Sequence, residues 1–174
     1  MIAIIASTNR KNSISRQVAN RLSSDLTTRG SDNKIIDLRD LPHDFIESCL
    51  YENSGANENF NPVRELISQC DKLFFVIPEY NGSFPGILKV FVDGLKFPEG
   101  VKGKKAALIG ISSGTQGSAL AMSHFTDILN YLGCAVLPTR PRITAVETNF
   151  INGQFTDPFQ NKLVEQQLDE FIQF

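Results

Sequence analysis

The 174-residue sequence is poor in side chains that do chemistry by themselves. Its two histidines, His43 and His124, lie far apart, which argues against a metal site. Its three cysteines, Cys49, Cys70 and Cys134, form no CxxC pair, and Cys70 and Cys134 fall at apolar positions that read as core thiols. No Ser/His/Asp or Cys/His constellation is visible, and no catalytic side chain is assigned. There is no GxGxxG and no GxxxxGK, so neither a dinucleotide fingerprint nor a P-loop is present. No apolar run approaches membrane-spanning length, and no signal peptide is visible because the chain opens directly on a strand. A net charge of -2 leaves no electrostatic footprint for nucleic acid. With 41% hydrophobic and 21% charged residues, the chain reads as one cytoplasmic domain spanning 1–174, with a sizeable core.

What is present is an alternation. Met1 to Ala6 is a short apolar run with the character of a central strand. Ile14, Val18, Leu22 and Leu26 then recur on one helical face, closed by Gly30 and capped by Ser13 or Ser15. Lys34 to Leu38 reads as a second strand. Arg39 to Phe60 has no clear period and reads as a surface excursion with a helical turn near Phe45 to Leu50. Asn61 and Pro62 look like a cap and first helical residue, with Val63, Leu66, Ile67 and Cys70 facing inward. Leu73 to Ile77 reads as a strand buried on both faces, ending at Pro78. Ile87 to Asp93 reads as a helix capped by Ser83, with Pro85 in its first turn. Lys105 to Ile111 is a strand, and Met122, Phe125, Ile128, Leu129 and Leu132 stripe the helix that Gly133 ends. Ala135 to Leu137 is a fifth strand. Asp157-Pro158 opens a last helix, with a capping box to Gln160 and an apolar stripe of Phe159, Leu163, Leu168, Phe171 and Ile172. Strand alternating with helix predicts a parallel sheet covered on both faces, with ligands at the carboxyl ends of the strands.

Three loops would meet there in strand order 2-1-3-4-5. The first, Ser7 to Ser15, offers the Thr8, Ser13 and Ser15 hydroxyls, the Arg10 guanidinium and helix-terminal amides, the chemistry of a phosphate site. The second, Pro78 to Gly86, carries the turn pair Asn81-Gly82 between Tyr80 and Phe84, and can lay backbone groups along a flat heterocycle. The third, Ser112 to Ser118, is small and hydroxyl-rich. Each, taken alone, also has an ordinary reading as a connection.

The stretches Ser-Thr-Asn-Arg-Lys-Asn-Ser and Pro-Glu-Tyr-Asn-Gly-Ser-Phe-Pro-Gly-Ile-Leu-Lys resemble the NADPH-dependent FMN reductase family, which includes quinone, azo-dye and chromate reductases. The resemblance covers Met1 to about Gly133. It implies a flavodoxin-like three-layer α/β sandwich around a five-stranded parallel sheet. It also implies that Thr8, Arg10, Ser13 and Ser15 hold the FMN phosphate, that Pro78, Glu79, Tyr80, Asn81 and Gly82 line the isoalloxazine, and that Ser112, Ser113, Gly114 and Gly117 close the far side. Ser7 and Asn12 stand where the family usually has glycine, and the third loop lacks an arginine seen in many members.

The resemblance implies a ping-pong reductase using FMN and NADPH or NADH, passing hydride from nicotinamide to flavin and on to a quinone-like small-molecule acceptor. His124 reads as structural. A homo-oligomer, dimer or tetramer, is expected through the Phe84 to Phe97 region. Two other readings stay open: an FMN-binding electron carrier without pyridine-nucleotide activity, and a flavin-free interaction domain.

Overall fold

In the computed structural model, which describes residues 1–174, the opening apolar run is strand β1 (Ile2–Ala6), buried at every position. β2 (Asn33–Asp37) and β3 (Lys72–Pro78) flank it in parallel, and β4 (Lys105–Ile111) lies beyond β3. Short β5 (Ala135–Val136) completes the order 2-1-3-4-5. Helices cover both faces. On one face, α1 (Ile14–Thr28) and α7 (Pro158–Gln173) pack on Ile4, Phe74 and Ile109. On the other, α3 (Asn61–Gln69), α4 (Gly86–Asp93) and α5 (Ala119–Tyr131) pack on Ile5, Phe75 and Leu108.

The helix stops follow their glycines. Gly30 has φ +75°, its N–H reaches Thr27 O, and Ser31 N–H reaches Leu26 O. Gly133 repeats this with Asn130 O and Leu129 O behind Cys134. These are paired carbonyl-satisfying closures that a left-handed residue permits. Inside the excursion, α2 (Phe45–Cys49) forms where a turn is expected, and its Phe45 ring packs edge-on to Phe60 at 4.6 Å.

β3 does stop at Pro78, and Glu79 N–H donates just beyond it to Ile111 O, but three other local expectations are corrected. Phe60, not Asn61, precedes α3, and the Asn61 side chain donates to Gly55 O instead. Pro85, not Ser83, is the cap residue of α4, and Ser83 Oγ lies 3.0 Å from His124 Nδ1. Phe159 is 68% exposed, so Val164 and Gln167 take its place on the buried face of α7.

The fifth lane of the sheet is also broken. Pro138 and Pro141 interrupt it, and a sixth strand, β6 (Arg142–Ile143), pairs with the upper end of β4 at Gly110 and Ile111. The break leaves backbone carbonyls facing inward with no strand to donate to them. Gln167, fully buried on α7, fills the gap: its Nε2 donates to Leu108 O at 2.7 Å and to Thr139 O at 2.8 Å. After β6, α6 (Val146–Asn149) and a small hairpin, β7 (Phe150–Ile151) with β8 (Gln154–Phe155), lead into α7.

Candidate functional site

The carboxyl ends of β1, β3 and β4 open into a cleft of about 380 Å³. Its first wall is the loop after β1. Ser13 caps α1, its Oγ accepting from Arg16 N–H at 3.1 Å. The amides of Ile14 and Ser15 in that first turn have no backbone acceptor, as helix starts require. Thr8 and Ser15 are almost fully buried at the cleft, whereas Arg10 and Lys11 are exposed. Asn12 holds φ +53°, a left-handed conformation that asparagine tolerates better than most side chains.

The second wall is a tight hairpin. Tyr80 and Ser83 exchange backbone hydrogen bonds of 2.8 and 3.0 Å around Asn81 (φ +51°) and Gly82 (φ +79°). Two positive φ values in succession are the geometry that an Asn-Gly pair favours. The Glu79 carboxylate folds over the turn and accepts from Gly82 N–H at 2.5 Å. The hairpin is tied to the first wall, because the Tyr80 hydroxyl and Thr8 Oγ1 are 2.5 Å apart and the Arg10 guanidinium lies 5.3 Å from the Tyr80 ring centre.

The third wall is stapled from within. Ser112 Oγ donates to Gly114 O and accepts from Gly117 N–H, both at 3.0 Å. A side chain at Gly117 would strike Arg142, its Cβ only 2.6 Å from that of Arg142. The segment after β6 is zipped onto this loop by Ala145 N–H to Gly114 O and Val146 N–H to Ser112 O. That brings Glu147 to the cleft rim. Ser113 Oγ donates to Glu147 Oε1 at 2.5 Å, which holds that carboxyl below the usual carboxylate range.

Of the residues predicted from sequence, Thr8, Arg10, Ser13, Ser15, Pro78, Glu79, Tyr80, Ser112 and Ser113 line this one cleft. Asn81, Gly82, Gly114 and Gly117 do not; they shape the turns behind it. Sequence reasoning missed Lys11, Asn12, Ile14, Ile111, Val146 and Glu147. Lys11 sat in the quoted first loop, but nothing local marked Glu147, which reaches the cleft only through the β4–β6 pairing.

Chemically, the first wall suits an anion with several oxygens: hydroxyls, free amides and a guanidinium converge there. The hairpin beside it offers an aromatic ring and backbone edges to a planar group. Residues 1–148 match the family model for NADPH-dependent FMN reductase. The chain belongs to the NADPH-dependent FMN reductase family. It is 33% identical over 139 residues to a 2-hydroxy-1,4-benzoquinone reductase of Burkholderia sp., covering 78% of this chain and 73% of the relative. It is 36% identical over 128 residues to an NAD(P)H-dependent FMN reductase of Pseudomonas aeruginosa, covering 68% and 69%. Among solved structures, FerB, a flavoenzyme NAD(P)H:(acceptor) oxidoreductase from Paracoccus denitrificans, superposes with a TM-score of 0.80 at 26% identity, covering 99% of this chain and 94% of FerB. Megasphaera elsdenii flavodoxin superposes at 0.62 with 16% identity, covering 97% and 99%, a likeness of fold alone. As a family member, this chain is a flavodoxin-like α/β oxidoreductase that uses FMN and NAD(P)H.

Proposed function

We propose that this FMN reductase passes reducing equivalents from NAD(P)H to quinone-like small molecules, with the cleft between the three loops as its flavin site. The convergence of the α1 first-turn amides with Arg10, Ser13 and the Tyr80 hairpin carries the reading. The donor set fits FMN: its phosphate needs charged and neutral donors together, and these lie at the start of α1. FMN, when bound, supplies the hydride chemistry. The protein binds and orients. Ser13 and Ser15 hydroxyls, with the amides of Ile14 and Ser15, take the phosphate beside Arg10. The Asn81-Gly82 turn holds Pro78, Glu79 and Tyr80 at the ring edge, and Ser112 and Ser113 bound the opposite side, stiffened by Gly114 and Gly117. Glu79 already engages Gly82 N–H, so its part is to fix the turn. The relatives named for quinone reduction support the acceptor class.

No helix is long and apolar enough to cross a membrane, and the chain is assigned here to the cytoplasm. A homo-oligomer is assigned to an apolar groove of about 680 Å³ beside Phe97, Tyr131 and Tyr51, which are exposed. The α4 residues Leu88, Phe91 and Val92 face the sheet and are not available for it. The absorbance spectrum of the purified protein, followed by NADPH and NADH oxidation with and without a benzoquinone, tests the function. Flavin binding without nucleotide oxidation would leave an electron carrier, and a flavin-free protein that takes up no FMN would overturn the reading.

A further inference from the structure

Behind the first loop, on the β2 side and away from the Tyr80 hairpin, lies a second cavity of about 250 Å³ with no apolar residue in its lining. It shares Arg10, Asn12 and Ser13 with the main cleft, and adds Arg16, Asp37 and Arg39. Three guanidiniums therefore surround a polar space next to the proposed phosphate loop.

Their partners are unequal. Arg16 is engaged: Nε donates to Asn20 Oδ1 at 3.1 Å, and Nη1 lies 3.6 Å from Asp37 Oδ2. The other Asp37 oxygen accepts from the Arg39 backbone N–H at 3.1 Å, which fixes where the Arg39 side chain departs. The Asp37 carboxylate is thus spent on organising the site. Arg39 and Arg10 are exposed, and neither guanidinium has a carboxylate within 4.0 Å. Asp40 is the other acid nearby and forms no ion pair. Arg10, Arg16 and Arg39 against Asp37 leave the lining with a surplus of two positive charges. One FMN phosphate at the α1 terminus draws on Arg10 and leaves Arg39 without a counter-charge.

We propose that this cavity is a second phosphate subsite, taking a phosphate carried by an adenine nucleotide while the first loop holds that of FMN. This rests on the flavin site assigned above. Guanidiniums match phosphate oxygens two at a time and stack on flat rings, so a cavity without apolar walls can still receive a nucleotide. Two sources carry the group: the 2′-phosphate of NADPH, or the adenylate half of FAD, whose second phosphate continues directly from the first.

The test uses wild type and Arg39→Ala. FMN-loaded protein is titrated with 2′,5′-ADP and with 5′-AMP, and flavin-free protein with FMN and with FAD. A lost hydrogen bond to a charged group predicts a fall of about tenfold in affinity. If the 2′-phosphate is the ligand, 2′,5′-ADP loses that factor in the variant and 5′-AMP does not. If the adenylate of FAD is the ligand, FAD loses it and FMN stays within about twofold. Either result supports the subsite and names its source. Unchanged affinities in every arm, or equal losses for FMN and FAD without a 2′,5′-ADP effect, overturn it. Failure of wild type to bind FMN removes the flavin reading alone, since Arg39-dependent binding of 2′,5′-ADP to the free protein would still establish the second subsite.

Discussion

The two ends of the sheet use positive charge in opposite ways. At the amino ends of the strands, lysines are consumed by the protein itself. Lys104, 8% exposed, donates to Ser68 O and Cys70 O at the end of α3. Lys72 donates to Phe171 O and Ile172 O at the end of α7, and Lys105 to Phe174 O. Each satisfies carbonyls that a helix leaves unpaired, where a cation also suits the helix dipole. At the carboxyl ends, Arg10, Lys11 and Arg39 have no carboxylate within reach, and the helix end facing them is the amino end of α1. There the dipole and these three cations have the same sign, and no carboxylate pairs with any of them. A parallel sheet imposes this: its helices all end at one edge and begin at the other, so one edge is closed and the other is left open to ligands.

The largest expected effect breaks the closed end. Lys104→Met leaves the buried Cys70 carbonyl and the half-buried Ser68 carbonyl without this donor and should cost about 1–3 kcal/mol in urea unfolding, with FMN affinity of the folded protein unchanged. A loss of FMN affinity instead would mean that the two ends are coupled. At the open end, Arg10→Ala should weaken FMN by about tenfold to a hundredfold in a flavin titration, while riboflavin, lacking the phosphate, hardly changes. Equal losses would assign Arg10 to its stacking on Tyr80. Stability of the flavin-free protein should move by less than about 1 kcal/mol, the scale of an exposed cation over a ring.

Two smaller predictions use pH. Burial pushes the Cys134 thiol up from 9.0 to about 12. Above pH 9 the unfolded chain gives up this proton and the folded one keeps it. Stability should therefore fall as pH rises through that window, by at most about 1.4 kcal/mol per pH unit from this group. Cys134→Ala, compared by alkaline unfolding, should lack that part of the slope. At the cleft, Glu147 is held below the usual carboxylate range by Ser113, so it keeps its charge at neutral pH and loses it only in stronger acid. Glu147→Gln should tighten FMN by about twofold to fivefold, as removal of one exposed like charge allows. The factor should be the same at pH 7.5 and pH 8.5, where the FMN phosphate is already close to doubly charged; a factor that grows across that window would mean that Glu147 titrates there.

The sequence made the order 2-1-3-4-5 and the loop positions legible because each depends on local runs: MIAIIA, KLFFVIP, and glycines that must sit just past α1 and α5. The contents of the cleft were legible where a residue lies within a few positions of a strand end. Glu147 was hidden because its place depends on β6, two residues long and 31 positions beyond its partner β4. Arg39 was hidden for a related reason: it belongs to an excursion without a period, and only the folded turn after β2 brings it to the polar cavity beside the first loop. Ser83 and Pro85 misled because a strand-like bridge from Tyr80 to Ser83 outcompeted the cap. A serine whose backbone is held in a hairpin cannot also begin a helix.

The bridging of the broken fifth lane by Gln167 has a kinetic meaning. Its contact with Leu108 spans 59 residues, and no shorter-range strand supplies a substitute donor. Closing so long a loop costs chain entropy that local contacts do not repay. The edge that carries β6, and with it Glu147, should therefore be among the last parts to consolidate on refolding. In native-state amide exchange, the Gly110 and Ser112 amides, which donate to Pro141 O and Ile143 O, should open together with α7, well before those of β1 and β3.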